Sequence, residues 1–251
     1  MKKKIFKLIA ILLIVSLGVG MALLRHSSRE SYAIMDCNRL EVSFTDSLKF
    51  VSENDIRRFL DRNYGIYVGQ KLDSVRLERI EEMLESRNVV LNSEAWVTAD
   101  GTLHVSISQR APILRFMDGQ RGYYMDAEGF VFPLHKTYTA KVPVIEGNIP
   151  LMNELDDKWK NDMLEFHDFL MSNDNYAVMV EKMSINKDGD LVIETGRGDE
   201  KFIFGEIESL KEKFRKVERY YAYIVPNAAD KKYKTVILKY KNQIVCREKD
   251  I

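Results

Sequence analysis

The sequence predicts an α+β protein with an N-terminal transmembrane helix, a small βααββ unit and a larger, mostly antiparallel β unit with two helices. Three observations predict this class. An uncharged apolar segment lies near the N-terminus, the rest of the chain alternates between helical and strand periodicity, and Arg110-Ala111-Pro112 interrupts the strand pattern. We therefore expect a cytoplasmic tail over residues 1–7, a transmembrane helix over 8–24, and soluble units over 33–110 and 111–251.

The composition fits a folded region joined to a short apolar segment. Hydrophobic residues make up 45 % of the 251 positions, and 38 Lys and Arg balance 38 Asp and Glu. This balance provides no broad positive field, so we expect no nucleic-acid partner. Cys37 and Cys246 do not have the CxxC spacing of a metal or redox site. We expect two separate thiols, and the alternative is a disulfide, which requires Cα atoms within about 7 Å.

The apolar segment over residues 8–24 predicts a membrane anchor. A hydrocarbon core of about 30 Å needs roughly 20 helical residues, and Ile5 and Phe6 extend the stretch if Lys7 reaches back to the interface. Lysines flank its N-terminal side, which favours a cytoplasmic N-terminus. The alternative is a signal peptide cleaved near Gly20-Met21-Ala22. Both interpretations place the following residues outside the cytoplasm.

The first soluble unit begins with a strand and a helix. Leu40, Val42 and Phe44 alternate with polar residues, which is typical of a half-buried strand. Ser52 provides an N-cap, with Asp55 three residues later, and this signal predicts a helix over residues 53–63.

A second helix and a hairpin complete this unit. Asp73 or Ser74 is the expected cap of the helix, whose apolar stripe is Val75, Leu77, Ile80, Met83 and Leu84. Predicted strands then flank the turn signal Asp100-Gly101. The order strand, helix, helix, strand, strand predicts two helices packed on one face of a three-stranded sheet.

The second unit is predicted to be β-rich. Its expected elements are a hairpin over 122–134, a strand over 142–147, a helix over 158–171, a hairpin over 176–185 and 190–195, a strand over 201–204, a helix over 207–220, and terminal strands over 235–240 and 243–246.

The sequence contains no recognisable catalytic motif, so we expect no enzyme, no cofactor and no small-molecule substrate. GxSxG, HExxH, GxxxxGK[ST] and GxGxxG are all absent. Asp126 and Glu128 are a pair of carboxylates, but a turn needs polar residues at such positions anyway. Gly196-Arg197-Gly198 is predicted to be a loop. None of the four histidines has a His or Cys at metal-ligand spacing: His26, His104, His135 and His167.

Two basic segments each allow two interpretations. The run Lys211–Lys216 is expected to be a solvated helix face, and the alternative is contact with acidic lipid or with a partner. Lys231–Lys234 allows the same two interpretations. It precedes the terminal strand, where basic and aromatic side chains could steer and anchor a partner.

Five motifs in order resemble the FtsQ/DivIB family of bacterial cell-division proteins, and the βααββ order resembles the POTRA domain. The motifs are Val68–Leu72 leading to Leu77–Glu81, Val105–Pro112, Tyr124–Phe132, Val142–Gly147 and Leu238–Val245. Two features depart from the family pattern. The cytoplasmic tail is very short, and Asn88-Val89-Val90 replaces the usual tryptophan after the second helix.

The resemblance implies a single-pass scaffold of the division machinery in the cell inner membrane, with a cytoplasmic N-terminus and periplasmic domains. It further implies that the protein binds small single-pass coiled-coil division proteins and links them to septal cell-wall synthesis. The POTRA-like domain is implied to contact other division proteins near its second helix and last strands.

The resemblance also implies a partner-binding strand over residues 236–245. An open strand edge is a template for a partner strand, because main-chain hydrogen bonds provide affinity. The alternative is that the apolar side chains of this strand are simply core. The expected partner-binding residues are Tyr233, Val236, Leu238, Tyr240 and Ile244.

Two other classes of protein are weighed against this one. A POTRA-type component of a transport or envelope-assembly complex would call for repeated alternating strands with aromatic girdles, which residues 111–251 do not supply. A periplasmic hydrolase would need a nucleophile–base pair or a metal constellation, and the sequence offers neither.

Overall fold

The computed structural model describes residues 19–20, 35–136, 138–228 and 232–248. The chain divides into two compact units between Arg110 and Ala111. The predicted anchor over residues 8–24 lies outside the described residues except for residues 19 and 20, which are helical. Within the described ranges, no helix is long and apolar enough to cross a membrane.

The first unit has the predicted order of strand, helix, helix, strand, strand. Its strands are β1 (Arg39–Phe44), β2 (Val90–Val97) and β3 (Thr102–Gln109), and its helices are α1 (Glu53–Asn63) and α2 (Leu77–Glu85). The sheet order is β1-β3-β2, with β1 parallel to β3 and β2 antiparallel to β3. The parallel pair requires a long crossover, and the two helices lie in that crossover.

One hydrophobic cluster joins the sheet to both helices. Alternate residues of β3 are fully buried, as the period-2 pattern predicts, while each helix buries two residues at i, i+4 spacing. The fully buried residues that build this cluster include Ile56, Leu60, Ile80, Leu84, Leu103, Val105 and Ile107.

Helix α1 begins with the capping box that the sequence predicts. The Asp55 N–H donates to the Ser52 hydroxyl at 3.2 Å, and the Ser52 N–H donates back to the Asp55 carboxylate at 3.0 Å. Hydrogen bonding to the Ser52 side chain lowers the pKa of Asp55 below its ordinary value.

Helix α2 begins later than expected, and its predicted caps are wrong. Asp73 and Ser74 lie in a separate 3₁₀ turn, Leu72–Ser74, and the N-cap of α2 is Arg76, which makes no side-chain cap. The Arg76 N–H instead donates to the Tyr64 hydroxyl at 2.8 Å. A hydroxyl that is remote in sequence replaces a local cap here, and local signals cannot reveal such a contact.

The described residues of the second unit form a nine-stranded sheet of order β12-β11-β10-β9-β8-β7-β4-β5-β6. The strands are β4 (Pro112–Asp118), β5 (Arg121–Asp126), β6 (Val131–Pro133), β7 (Val144–Gly147), β8 (Val180–Ile185), β9 (Leu191–Thr195), β10 (Lys201–Gly205), β11 (Tyr233–Ile237) and β12 (Val245–Glu248). The neighbouring pairs β4/β7, β7/β8 and β10/β11 are parallel, and the others are antiparallel. The prediction of a mostly antiparallel sheet is therefore confirmed.

The helices of this unit include the two that were expected and one that was not. They are α3 (Asp157–Met171), α4 (Asp174–Met179) and α5 (Leu210–Arg219), and α5 continues into a π-helical turn, Tyr220–Ile224, and a 3₁₀ turn, Val225–Asn227.

The strand predicted from residue 176 is wrong over its first residues, which belong to α4. The Tyr176 ring stacks on Phe169 of α3 at 5.6 Å and on Phe214 of α5 at 4.7 Å between centroids. This aromatic packing between α3, α4 and α5 overrides the strand propensity of the local sequence.

The capping box of α1 gives a prediction for the first unit. Ser52→Ala should lower the free energy of unfolding by about 1 kcal/mol, because one N–H loses its acceptor. It should also raise the Asp55 pKa toward its ordinary value of 3.8, because the hydroxyl no longer favours the carboxylate. Urea unfolding and NMR titration of the Asp55 carboxyl measure both effects.

The sign of the pH dependence follows from the lowered pKa. Asp55 contributes stability above its unfolded pKa, and this contribution is lost as the pH falls through the folded pKa. Ser52→Ala should therefore lose less stability in acid than the parent chain does. Ser86→Ala is a matched control, since the Ser86 hydroxyl donates to the Met83 carbonyl at the C-terminal end of α2 and caps no helix N-terminus. Equal effects of the two substitutions would contradict the capping role.

Candidate functional site

The last hairpin of the described chain forms one end of the nine-stranded sheet. Strand β11 lies between β10 and β12, and β12 pairs with β11 alone among the described strands. The outer side of β12, residues Val245–Glu248, is here called the β12 edge. The predicted docking region over residues 236–245 therefore consists mostly of the end of the interior strand β11 and the connection between β11 and β12. The β12 edge begins at Val245, the last residue of that region.

A buried lysine of α5 holds the connection between β11 and β12. Lys216 is only 5 % exposed, and its ammonium donates to the carbonyls of Leu238 at 3.0 Å and of Tyr240 at 2.7 Å. The Glu212 carboxylate lies 3.5 Å from the same nitrogen. Charge-assisted hydrogen bonds of this kind are stronger than neutral ones, so Lys216 fixes the path of the chain into β12.

Lys213 is a second buried lysine on α5. It is 4 % exposed, and its ammonium donates to the Glu206 carbonyl at 2.7 Å. Burial lowers the pKa of Lys213, and the charge of Glu208 opposes this shift. The expectation that the run Lys211–Lys216 is a solvated face is wrong for these two lysines. Their alkyl chains lie along the core, and their ammonium groups reach carbonyl oxygens.

Further contacts tie the hairpin to its neighbours. The Leu238 N–H donates to the Ile203 carbonyl at 2.9 Å, just beyond the paired part of β11. The Lys239 ammonium lies 2.8 Å from the Asp190 carboxylate, and this contact raises the pKa of Lys239. Asn242 takes a left-handed conformation with φ of 55° and turns the chain back toward β12.

The five predicted partner-binding residues all lie in this hairpin, but they differ in exposure. Val236 and Leu238 are fully buried in the core, Tyr233 and Ile244 are half-buried, and Tyr240 is 48 % exposed. Of the five side chains, Tyr240 is the most accessible to a partner. Val236 and Leu238 pack in the core and hold the hairpin in place. A direct role for the five residues in partner binding stays a prediction.

The first unit also exposes an aromatic side chain that sequence reasoning missed. Trp96 lies on β2, an end strand of the described sheet, and is 42 % exposed. Its ring stacks on His104 of β3 with 5.2 Å between centroids, and the His104 Nδ1 is 3.5 Å from the Glu41 carboxylate. A large exposed aromatic on a strand surface is the signal that could have identified this position.

The other candidate groups have structural roles. The Asp126 carboxylate accepts the N–H groups of Glu128 at 3.0 Å and Phe130 at 2.9 Å, so it forms the turn. Cys37 and Cys246 are free thiols, and burial raises the pKa of each. Among the described residues, no group of three or more His, Cys, Asp and Glu is arranged to hold a metal ion.

The fold and its open edge define a two-domain protein with a POTRA-like unit and a mostly β unit. A family model described as POTRA-like domain matches residues 35–108, and one described as FtsQ/DivIB, C-terminal related, matches residues 111–247. The second match covers more than half of the chain, and the protein therefore belongs to the FtsQ/DivIB family. No curated protein matches the chain.

Family membership confirms the resemblance found in the motifs. The two matches identify a division-associated protein of the POTRA type. The family is membrane-anchored in bacteria and interacts with division proteins, and both matched families consist of non-enzymatic scaffold domains.

The buried lysine gives a prediction for the hairpin. Lys216→Met keeps the alkyl length but removes the donor to two carbonyls, so it should lower the free energy of unfolding by about 1.5–3 kcal/mol. Amide hydrogen exchange should increase over β12 more than over β4, because the connection into β12 loses its support. Lys211→Met is the matched control on the same helix, where the side chain is exposed. Unchanged exchange over β12 in Lys216→Met would show that the lysine does not position this strand.

Proposed function

We propose that the protein is a single-pass scaffold of the bacterial division machinery in the cell inner membrane. In this proposal, residues 8–24 span the membrane, residues 1–7 are cytoplasmic, and both described units lie in the periplasm. The protein binds other division proteins, including small single-pass coiled-coil proteins, and links them to septal cell-wall synthesis without catalysis of its own. Its family membership and its apolar N-terminal segment support this assignment.

The β12 edge is the observation that carries the proposal. An end strand presents a row of main-chain donors and acceptors, and an extended partner segment can pair with them. Lys216 and the buried side chains of Val236 and Leu238 hold the hairpin, so little ordering is required at the moment of binding. Tyr240 adds an exposed aromatic ring in the connection that leads into β12, and tyrosine is enriched among the residues that dominate binding energy.

The role of Tyr240 can be tested against an equivalent tyrosine in the same unit. Tyr240→Ala should weaken recovery of small division proteins with the tagged full chain by about tenfold, which corresponds to about 1.4 kcal/mol. Tyr223→Ala should leave recovery unchanged, since Tyr223 is also exposed, at 70 %, but lies outside the hairpin. The readout is quantitative co-purification from membranes, with circular dichroism to confirm folding.

Adjacent proline substitutions test the main-chain part of the same contact. Successive N–H groups of an edge strand alternate between the neighbouring strand and the open side, so Cys246→Pro and Arg247→Pro should differ. The proline that removes an N–H bonded to β11 should lower the unfolding midpoint, whereas the proline that removes an outward N–H should retain it. The second variant should no longer recover the partner. Full recovery of division proteins by that variant would rule out strand addition at β12.

The membrane anchor is tested by a charge placed in its middle. Leu17→Arg should shift the full chain from the membrane fraction to the soluble fraction, because arginine near the centre of a spanning helix costs about 2.5–3.5 kcal/mol. Leu151→Arg is the control, since Leu151 is a partly exposed leucine of the second unit. Mass spectrometry of the membrane-bound parent should find an uncleaved N-terminus, and a chain that begins after Ala22 would instead identify a signal peptide.

A further inference from the structure

A cavity of 370 Å³ opens in the second unit where three segments meet. These segments are the turn between β9 and β10, the π-helical turn after α5 and the start of β11. We call it the tyrosine–glutamate pocket. Its principal lining residues are Arg197, Glu200, Tyr220, Tyr221, Lys232 and Tyr233.

The carboxylate in this pocket is buried without a full set of partners. Glu200 is only 8 % exposed, and its Oε1 atom makes no hydrogen bond to any of the residues that the structure describes. The two cations of the pocket, Arg197 and Lys232, form no ion pair with it among the contacts of the described chain. Buried polar atoms are nearly always paired, because an unpaired one is unfavourable in a low-dielectric site. The free oxygen therefore indicates a site made for a donor from outside the chain.

A glycine shapes the pocket around this carboxylate. A Cβ atom at position 198 would collide with both carboxylate oxygens of Glu200. Any side chain at position 198 would displace the Glu200 carboxylate, so the observed position of this carboxylate requires glycine at 198.

Aromatic rings form the walls of the pocket. Tyr220 lies 5.2 Å from Tyr221 and 6.3 Å from Tyr233 between ring centroids. The Tyr221 hydroxyl lies 2.5 Å from the Thr195 hydroxyl and also hydrogen-bonds to the Glu200 carboxylate, which leaves Oε1 as the unpaired oxygen among the described residues. Burial, followed by the hydrogen bond to Glu200, raises the pKa of Tyr221 well above its ordinary value. The Arg197 guanidinium already lies 5.5 Å from the Tyr221 ring centroid, so a ring of this wall attracts a cation.

We propose that the tyrosine–glutamate pocket binds a lysine or arginine side chain of a partner protein. A buried carboxylate with a free oxygen and electron-rich rings favours a cation with N–H donors, and the cavity is large enough for one such side chain.

The location of the pocket indicates how such a side chain would reach it. Tyr233, which lines the pocket, is the first residue of β11 and pairs with Glu248, the last residue of β12, so the pocket lies at the end of the hairpin where β12 ends. A partner segment that adds to β12 and continues past Glu248 would bring a basic side chain toward this end of the hairpin. This location argument rests on the proposed function, and the preference of the pocket for a cation does not.

The experiment titrates the full chain, in detergent micelles, with single-residue probes. The probes are the Nα-acetyl methylamides of lysine, arginine and the uncharged norleucine, and the readout is NMR of ring-labelled tyrosines. The lysine and arginine probes should shift the signals of Tyr220, Tyr221 and Tyr233 in a saturable way, and norleucine should not. Glu200→Gln should weaken this binding at least about tenfold, because the cation loses its buried counter-charge.

Matched variants separate direct contact from general effects. Glu218→Gln removes an exposed carboxylate from α5 and should leave the affinity unchanged. Gly198→Ala keeps all charges but displaces the Glu200 carboxylate, so it should also weaken binding severalfold. Glu200→Gln should retain the parent unfolding midpoint, since the side-chain amide keeps an oxygen that can accept the Tyr221 hydroxyl.

The proposal is overturned if the norleucine probe binds as well as lysine, or if Glu200→Gln retains full affinity. It is also overturned if the cationic probes bind only after Lys232→Ala, because the chain would then fill its own pocket. Probe binding involves no division protein, so the two proposals can fail separately. Probe binding combined with full partner recovery by the outward-facing proline variant would contradict only the role of the β12 edge.

Discussion

The ammonium of Lys216 is the contact on which the arrangement of the last hairpin depends. A buried charge is tolerated only where polar atoms replace its water, and here the carbonyls of Leu238 and Tyr240 do so. The same bonds satisfy two carbonyls that lie outside the paired parts of β11 and β12. A single side chain thus anchors the connection that leads into the end strand.

Helix α5 positions both features that we assign to binding. The Lys213 ammonium donates to the Glu206 carbonyl, and the Lys216 ammonium donates to the carbonyls of Leu238 and Tyr240. Phe214 and Val217 of the same helix are fully buried in the core. The helix then continues into a π-helical turn that carries Tyr220, and such turns are frequent at functional sites. Helix α5 and its π-helical extension therefore support both the β12 edge and the tyrosine–glutamate pocket.

Most elements of the fold were predictable because their signals are local. Strands β1 to β3, helix α1 with its capping box, and helix α3 follow from apolar periodicity, turn residues and caps. The failures have non-local causes. The start of α2 depends on the hydroxyl of Tyr64, and α4 forms because Tyr176 packs on two other helices. The predicted docking region over residues 236–245 includes the end of the interior strand β11, because strand order within a sheet depends on long-range pairing and cannot be read from local sequence.

The sequence by itself determined the fold class, the family resemblance and the choice of the last hairpin as the binding candidate, since periodicity and ordered motifs are properties of neighbouring residues. The tertiary structure alone decided which strand is at the end of the described sheet, which lysines are buried and which carboxylate oxygen has no partner among the described residues. Lys211 and Lys216 belong to the same charged run, yet one is exposed and the other lies under a hairpin. Burial and hydrogen bonding depend on residues that are distant in sequence and meet only in the folded chain.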